Sequence, residues 1–251
     1  MRRRRIVIIG ATSALAERCA RLWLTQGPAD LVLVGRDLDK TGRVAMDLRV
    51  RHLDADVRVL ATDFLDPACV RALVDGIFAE GPVDIALIAH GLLPDQGACQ
   101  ADLDRCQEAL LVNGVSPALF AEAFAGRMER AGKGVLALIG SVAGDRGRKT
   151  NYVYGAGKGL LARYAQGLQH RLAGTGVAVV LILPGPTDTP MTSHLKGSRG
   201  CPPLADADTV ARIMVDAIEK RRPVCYAPGK WALIMLVLRH LPRAVFNRLN
   251  I

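Results

Sequence analysis

The sequence has 251 residues, of which 50% are hydrophobic and 23% are charged, a composition that is typical of a globular protein and excludes a disordered one. The formal net charge is +9, but most of it lies at the two ends of the chain. Arg2 to Arg5 form an unbroken basic run, and residues 219–251 hold seven basic side chains and one acidic one. Because the rest of the chain is close to neutral and shows no nucleic-acid-binding motif, we expect no nucleic-acid partner.

The six cysteines are scattered, without a Cys-x-x-Cys pair or a nearby histidine cluster. This pattern argues against a zinc site, so no metal is predicted, and the cytoplasm is the simplest setting. The first apolar run, residues 6–9, is too short for a signal peptide. No uncharged apolar stretch reaches the ~18 residues that a membrane-spanning helix requires.

Short β-branched runs alternate with longer segments of helical spacing. The first strand is predicted at 6–9, and the first helix at 14–26 ends before Gly27 and Pro28. Further strands are predicted at 31–34, 57–61, 85–89, 135–139 and 177–183, with 223–227 as a candidate seventh. We therefore predict an α/β fold, a single doubly wound Rossmann-type domain over 1–251 with a mainly parallel sheet of about seven strands. Ligands of such sheets bind beyond the carboxyl ends of the strands.

The turn between the first strand and the first helix is a candidate phosphate-binding loop, because backbone N–H groups and the helix dipole favour a pyrophosphate there. The usual fingerprint has three glycines, but Ala14 and Ala16 stand at the second and third places. The alternative is an ordinary turn in which Thr12 or Ser13 caps the helix. The cofactor contacts predicted here are Gly10, Thr12, Ser13, Ala14 and Leu15.

The second and third strands end in residues that bear on the choice of cofactor. Gly35 stands where an NAD-binding site usually has an acidic residue, and Arg36 brings a positive charge that suits a 2′-phosphate. NADP(H) is therefore the preferred cofactor and NAD(H) the alternative, since Asp37 is able to pair with Arg36. Asp63 and Phe64 follow the third strand, where Asp63 can meet the adenine or cap the next helix.

Ser141, Tyr154 and Lys158 form the strongest candidate site. Tyr154 and Lys158 are four residues apart, so on a helix they project from one face. Ser141 follows the fifth strand, which brings its hydroxyl to the same edge of the sheet. The spacing therefore predicts a hydroxyl, a phenol and an ammonium group in one pocket.

Several residues occur in the order and spacing of a known family: Gly10, Arg36, Asp63, Asn113, Ser141, Tyr154, Lys158, Pro184 and Gly185. They make the chain resemble the short-chain dehydrogenase/reductase family over nearly all of its length. The resemblance implies hydride transfer at a carbonyl, with Tyr154 as acid or base and Ser141 bonded to the substrate oxygen. Lys158 would favour the phenolate and hold the nicotinamide ribose. Asn113 would carry a water of the proton relay, with a buried Asn bonded to the backbone as a compatible structural role.

The segment after the fourth strand departs from the family pattern, which is Asn-Asn-Ala-Gly. Ile88, Ala89, His90 and Gly91 stand there instead. Gly91 still allows close approach of the cofactor, and His90 can contact the cofactor or fill space, with no catalytic role assigned. Cofactor contacts are predicted at Ala89, His90, Gly91, Pro184, Gly185, Thr187 and Thr189. Residues 187–222 are the expected lid over cofactor and substrate.

Two basic segments bear on the substrate. Arg146, Arg148 and Lys149 lie between Ser141 and Tyr154 and favour an anionic substrate group, with a solvated loop as the alternative. The tail, residues 230–251, combines eight consecutive apolar residues with arginines. It suits an interfacial helix on anionic lipid, or a helix packed on the core or on another subunit.

These segments are similar to a branch of the family that reduces a 2-keto pentose carried on a polyprenyl phosphate. The predicted function is NADP(H)-dependent reduction of a keto group on a lipid-linked or phosphorylated sugar. The alternatives are a ketoreductase of a soluble or acyl substrate, with the tail as an oligomer interface, and a non-catalytic cofactor-sensing subunit. We expect a cytoplasmic homodimer or homotetramer with a small-molecule substrate, a partner oxidase, and peripheral contact with the inner face of the membrane.

Overall fold

A seven-stranded sheet forms the middle layer of the fold in the computed structural model, which describes residues 3–197 and 202–249. The strands are β1 (Arg4–Ile9), β2 (Ala29–Gly35), β3 (Asp56–Ala61), β4 (Ile85–Ile88), β5 (Gly134–Ile139), β6 (Val177–Pro184) and β7 (Val224–Ala227). Their order is β3-β2-β1-β4-β5-β6-β7, and these neighbours pair in parallel. The predicted doubly wound α/β fold is confirmed, together with its seventh strand.

Some predictions fall outside the described residues. They concern Arg2 of the basic N-terminal run, the stretch 198–201 of the expected lid with Cys201, and the last two residues of the tail. The five described cysteines are free thiols.

Helices cover both faces of the sheet. They are α1 (Ala14–Gln26), α2 (Leu38–Arg51), α3 (Pro67–Ala79), α4 (Gln96–Ala101), α5 (Leu103–Leu110), α6 (Ser116–Ala131), α7 (Tyr152–Arg171), α8 (Ala207–Glu219), α9 (Lys230–His240) and α10 (Arg243–Phe246). Helices α1, α2 and α8 pack on one face with Ile6 and Ile8, and α3, α6 and α7 pack on the other with Val7 and Ile9. Because both faces of the sheet are covered, the central strands β4, β5 and β6 are continuous apolar runs.

Helix α8 occupies part of the segment 187–222 that is expected to form the lid. Its apolar residues recur at helical spacing, and Val210, Met214 and Ile218 are buried in the core that α1 shares. The second half of 187–222 is therefore a core helix and not part of a lid. A 3-10 helix at Pro190–Leu195 precedes it, and a lid role for the segment before α8 stays a prediction.

Helices α5 and α6 are joined by a π-helical turn, Leu111–Val115, into one continuous stretch. In the described part of the chain, this stretch, Leu103–Ala131, is the one helix long and apolar enough to cross a membrane. Its apolar window is 61% buried inside the fold. We therefore assign it as a core helix.

The tail forms α9 and α10 and packs on the core along one side. Trp231 and Met235 are buried in the same core as α7. The Trp231 indole lies directly against Gly185, where a Cβ would have no room. The opposite side of α9 is open, since Leu233 is 67% exposed and Val237 is 55% exposed.

Candidate active site

A cleft of about 310 Å³ lies at the carboxyl ends of the central strands, where open α/β sheets bind ligands. The predicted residues that line it are Gly10, Thr12, Ser13, Ala14, Leu15, Arg36, Phe64, Ala89, His90, Gly91, Asn113, Ser141, Tyr154, Lys158, Pro184, Gly185, Thr187 and Thr189. The structure thus brings together the predicted catalytic residues and nearly all predicted cofactor residues. Its lining does not include Asp63, Arg146, Arg148 or Lys149.

The loop after β1 has the shape of an anion-binding turn. Gly10 has a positive φ of +81°, and a Cβ on it would lie 2.7 Å from the backbone nitrogen of His90. This position therefore requires glycine. Ser13 is the N-cap of α1, but its side chain forms no capping hydrogen bond. The first N–H groups of α1 are therefore left to a ligand of the cleft.

Arg36 lies exposed at the end of β2. Asp37 accepts a hydrogen bond from the Lys40 backbone nitrogen at 2.9 Å and pairs with the Lys40 ammonium at 3.2 Å, which lowers the pKa of this carboxyl. Asp37 is thus engaged with α2. In the part of the chain that the structure describes, Arg36 has no hydrogen bond or ion pair, so its guanidinium is available at the rim of the cleft.

Asp63 lies beside the cleft without lining it. Its carboxylate accepts a hydrogen bond from the Leu65 backbone nitrogen at 2.8 Å. The cap of α3 is Asp66, whose side chain accepts from Ala68. The alternative role of Asp63 as a helix cap is therefore wrong.

Helix α7 places Tyr154 and Lys158 in the cleft because its small residues let it approach closely. A Cβ on Gly155 would lie 2.8 Å from the Ala143 carbonyl oxygen, in the loop that follows Ser141. A Cβ on Gly157 would lie 2.8 Å from the Asn113 Cβ. The glycines between the tyrosine and the lysine are thus packing residues, which bring the loop after β5 and the π-helical turn against α7.

The ammonium of Lys158 is buried close to the phenol ring of Tyr154. Its Nζ donates to the Ile139 carbonyl at 2.9 Å and lies 5.9 Å from the centroid of the Tyr154 ring. Burial lowers the pKa of Lys158 to about 8. Burial raises the pKa of Tyr154, while a hydrogen bond from Ser141 and the positive charge of Arg148 oppose that rise.

Asn113 sits in the π-helical turn and is fully buried. Its side-chain nitrogen donates to the Ala109 carbonyl at 2.9 Å, and its side-chain oxygen accepts from the Leu92 backbone nitrogen at 3.0 Å. The amide therefore fixes the segment after β4 on the helix, which is the structural role considered for it. Short π-helical turns are frequent at functional sites.

His90 is held between two aromatic rings and Ser116. Its ring is edge-on to Phe64 and Phe120, with centroids 4.8 and 5.6 Å away. The Ser116 hydroxyl donates to the Phe64 carbonyl at 2.7 Å, so the His90 Nε2, 2.9 Å from Ser116 Oγ, must donate to it. Nδ1 is then an acceptor, and it is buried without a partner among the described residues. Burial, with the charges of Lys158 and Arg36, lowers the pKa of His90 to about 3.

The three basic residues predicted to meet the substrate do not converge. Arg146 donates to the Leu238 and Leu241 carbonyls at the end of α9 and lies 3.7 Å over the Phe246 ring centroid. The substrate role predicted for Arg146 is therefore corrected to a contact with the tail. Arg148 is partly buried beside Tyr154, with an Nε that lacks a partner in the described residues, and Lys149 is exposed.

Sequence reasoning missed part of the lining. The residues that it did not single out are Leu65, Leu92, Val112, Ser116, Ile139 and Gly140. The end of the fifth strand was a signal for Ile139 and Gly140, because ligands lie at the carboxyl ends of strands. Ser116 carries no such signal, since its partner His90 is 26 residues earlier in the chain.

Comparison with known proteins yields relatives across the whole chain. The family described as short chain dehydrogenase matches residues 4–199. An uncharacterized oxidoreductase of Streptomyces coelicolor is 31% identical, with 98% of this chain and 96% of the relative covered. An uncharacterized oxidoreductase of Mycobacterium tuberculosis is 34% identical, with 97% and 96% covered.

Two solved structures share the fold. A short-chain dehydrogenase from Sphingobium yanoikuyae in complex with NADPH has a TM-score of 0.81 at 24% identity, over 96% of this chain and 97% of that one. A short chain dehydrogenase from Burkholderia cenocepacia in complex with NADP has a TM-score of 0.82 at 18% identity, over 99% and 98%.

Proposed function

The chain belongs to the short-chain dehydrogenase family, and we propose that this oxidoreductase is an NADP(H)-dependent ketoreductase with Tyr154 as its acid and base. One observation carries the proposal. The Ser141 hydroxyl, the Tyr154 phenol and the Lys158 ammonium meet at one end of the same cleft, and the ammonium is fixed by the Ile139 carbonyl. This arrangement offers a carbonyl oxygen both a proton and a second hydrogen bond.

Each of these residues has a separate role in the proposed reaction. The Ser141 hydroxyl holds the substrate oxygen beside the phenol, and Tyr154 gives its proton during reduction or accepts one during oxidation. A raised pKa makes the phenol a weaker acid and leaves less of it ionised, so the charges of Lys158 and Arg148 are needed to favour the phenolate. Asn113 fixes the segment after β4, which lines the cleft, on the π-helical turn through its two hydrogen bonds to the backbone.

The features that fit NADP(H) are independent of the catalytic residues. The N-terminus of α1 and the close approach at Gly10 suit a pyrophosphate. Within the described residues the Arg36 guanidinium has no partner and is available for a 2′-phosphate, and the His90 Nδ1, also without a partner there, can accept from a cofactor hydroxyl. When bound, the cofactor supplies or accepts the hydride. The two solved structures named above contain NADPH and NADP, which supports this choice over NAD(H).

For the substrate, we propose a keto group on a lipid-linked or phosphorylated sugar, by resemblance to the reductase subunit of decaprenylphosphoryl-β-D-ribose 2-epimerase. The support in this chain is Arg148, whose guanidinium is partly buried beside Tyr154 with a partnerless Nε in the described residues. Arg148 does not line the cleft itself, but a partly buried cation with an unpartnered nitrogen beside it favours an anionic ligand. A partner oxidase that generates the keto sugar and assembly as a homodimer or homotetramer belong to the same proposal.

A turnover screen with NADPH tests the substrate class. We expect reduction of a 2-keto pentose to be faster when it is carried on a polyprenyl phosphate, and Arg148→Gln to raise KM for that substrate more than for an uncharged ketone. Faster turnover of soluble or acyl ketones, with no effect of Arg148→Gln on KM, would favour the alternative ketoreductase. No turnover of any ketone, with NADPH still bound, would favour a cofactor-sensing subunit.

A further inference from the structure

The tail presents an apolar surface that the fold leaves open. Residues Trp231, Met235 and Leu238 point inward, while the tail face, defined here as Leu233, Ile234, Leu236, Val237 and Val245, points outward. These five side chains are between 38% and 67% exposed. Positions 233, 236 and 237 follow the i, i+3, i+4 spacing of one helix face. Helix α9 is therefore apolar on both sides, although only one side meets the core.

The charges around the tail face have one sign. Lys230, Arg239, Arg243 and Arg248 flank it, and the sequence has no acidic residue after Glu219. No ion pair links these four cations to an acidic side chain in the described part of the chain. An apolar helix face with uncompensated cations at its edges is complementary to a bilayer that contains anionic lipid.

A second copy of this chain is a poorer occupant of the same face. In a symmetric dimer the same surface patch is used twice, so the basic edges of one tail would meet the basic edges of the other. That contact would bring like charges together without an acidic residue in the tail to compensate them.

The tail is attached to the loop that carries Ser141. Arg146 donates to the Leu238, Arg239 and Leu241 carbonyls, which are the open acceptors at the end of α9. Its guanidinium also stacks on Phe246 of α10. At the other end of α9, Trp231 lies against Gly185 of the cleft lining. The orientation of the tail face is thus fixed relative to the cleft.

We propose that the tail face docks the protein on an anionic lipid surface, and that Arg146 fixes the orientation of this face relative to the loop that carries Ser141. The docking depends on the tail face and on Arg146, none of which lines the cleft, so it can be tested independently of the reaction. It explains why Arg146 makes no contact with the cleft although it lies five residues after Ser141.

Cosedimentation of the full chain with vesicles tests the docking. We expect binding to phosphatidylcholine vesicles that contain phosphatidylglycerol, weaker binding to phosphatidylcholine alone, and a decrease as salt is added. The double variant Leu233→Glu/Val237→Glu should weaken binding about tenfold or more, because each apolar side chain loses its burial in lipid. Leu53→Glu and Leu103→Glu are matched controls, since these leucines are 92% and 82% exposed outside the tail, and they should bind as the wild type does.

Arg146→Met tests the coupling to the catalytic loop. We expect this variant to bind NADPH normally and to lose part of its vesicle binding, because α9 is no longer held at its carboxyl end. Equal binding of the wild type to both vesicle types, or unchanged binding of the double variant, would overturn the docking. Light scattering on the wild type and the double variant tests the other occupant. If the wild type is a dimer that does not bind vesicles and the double variant is a monomer, the tail face is a subunit interface and the proposal is wrong.

Discussion

The Lys158 ammonium donates a hydrogen bond to the Ile139 carbonyl across 2.9 Å. This contact joins the middle of α7 to the last residue of β5, and Ser141 follows that strand two residues later. Together with the close packing of Gly155 against the Ala143 carbonyl, this hydrogen bond sets the distance between the helix that carries the phenol and the loop that carries the hydroxyl. The rigidity of the site depends on this junction and on the close packing around it.

The glycines of α7 should respond to substitution in opposite directions. Gly157→Ala should destabilise the protein by about 1–3 kcal/mol through overpacking, because its new Cβ would lie 2.8 Å from the Asn113 Cβ. Gly167→Ala in the same helix has nothing within 4 Å and should stabilise it by about 0.5–1 kcal/mol. Urea denaturation of both variants measures the difference. Equal effects of the two substitutions would contradict the close approach of α7 to the π-helical turn.

Burial of a neutral His90 should make the protein sensitive to acid. Its pKa is lowered from 6.5 to about 3 in the fold, so between these pH values the unfolded chain binds the extra proton. The free energy of unfolding should therefore fall as the pH decreases through this window. In His90→Asn the loss between pH 7 and pH 5 should be smaller than in the wild type, as measured by urea denaturation. His170→Asn, at an exposed position of α7, should lose as much as the wild type does.

Arg36→Ala should weaken NADPH binding about 10- to 100-fold, because a hydrogen bond to a charged group contributes about 1.5–3 kcal/mol. NADH lacks the 2′-phosphate, so its affinity should not change. Fluorescence titration of both cofactors gives the two dissociation constants. Arg43→Ala, at an exposed position in α2, is the matched control. An equal loss of affinity for NADH and NADPH would show that Arg36 does not bind the 2′-phosphate.

The strands and the catalytic residues could be predicted because their signals are local. A strand buried on both faces has a continuous apolar run, and a tyrosine four residues before a lysine shares its helix face whatever the rest of the fold does. The order of the elements then brought the predicted residues into one cleft.

The roles that sequence could not supply depend on distant partners. Arg146 binds carbonyls that lie 92 to 95 residues later, and no local pattern distinguishes this arginine from a substrate-binding one. His90 depends in the same way on Ser116 and Phe64. The lid expected over 187–222 is too long, because the helical spacing of Val210 and Met214, which is visible in the sequence, belongs to a core helix in its second half.

The most direct test of the account is the turnover number of Tyr154→Phe with NADPH and a ketone substrate that the wild type reduces. The variant keeps the ring and removes only the hydroxyl, so the dissociation constant for NADPH should not change. We predict a decrease in kcat of about 10²- to 10⁴-fold, the range of general acid catalysis, whereas Tyr152→Phe, at a position 44% exposed, should retain activity. Turnover of Tyr154→Phe at the wild-type rate would contradict the proposed role of Tyr154.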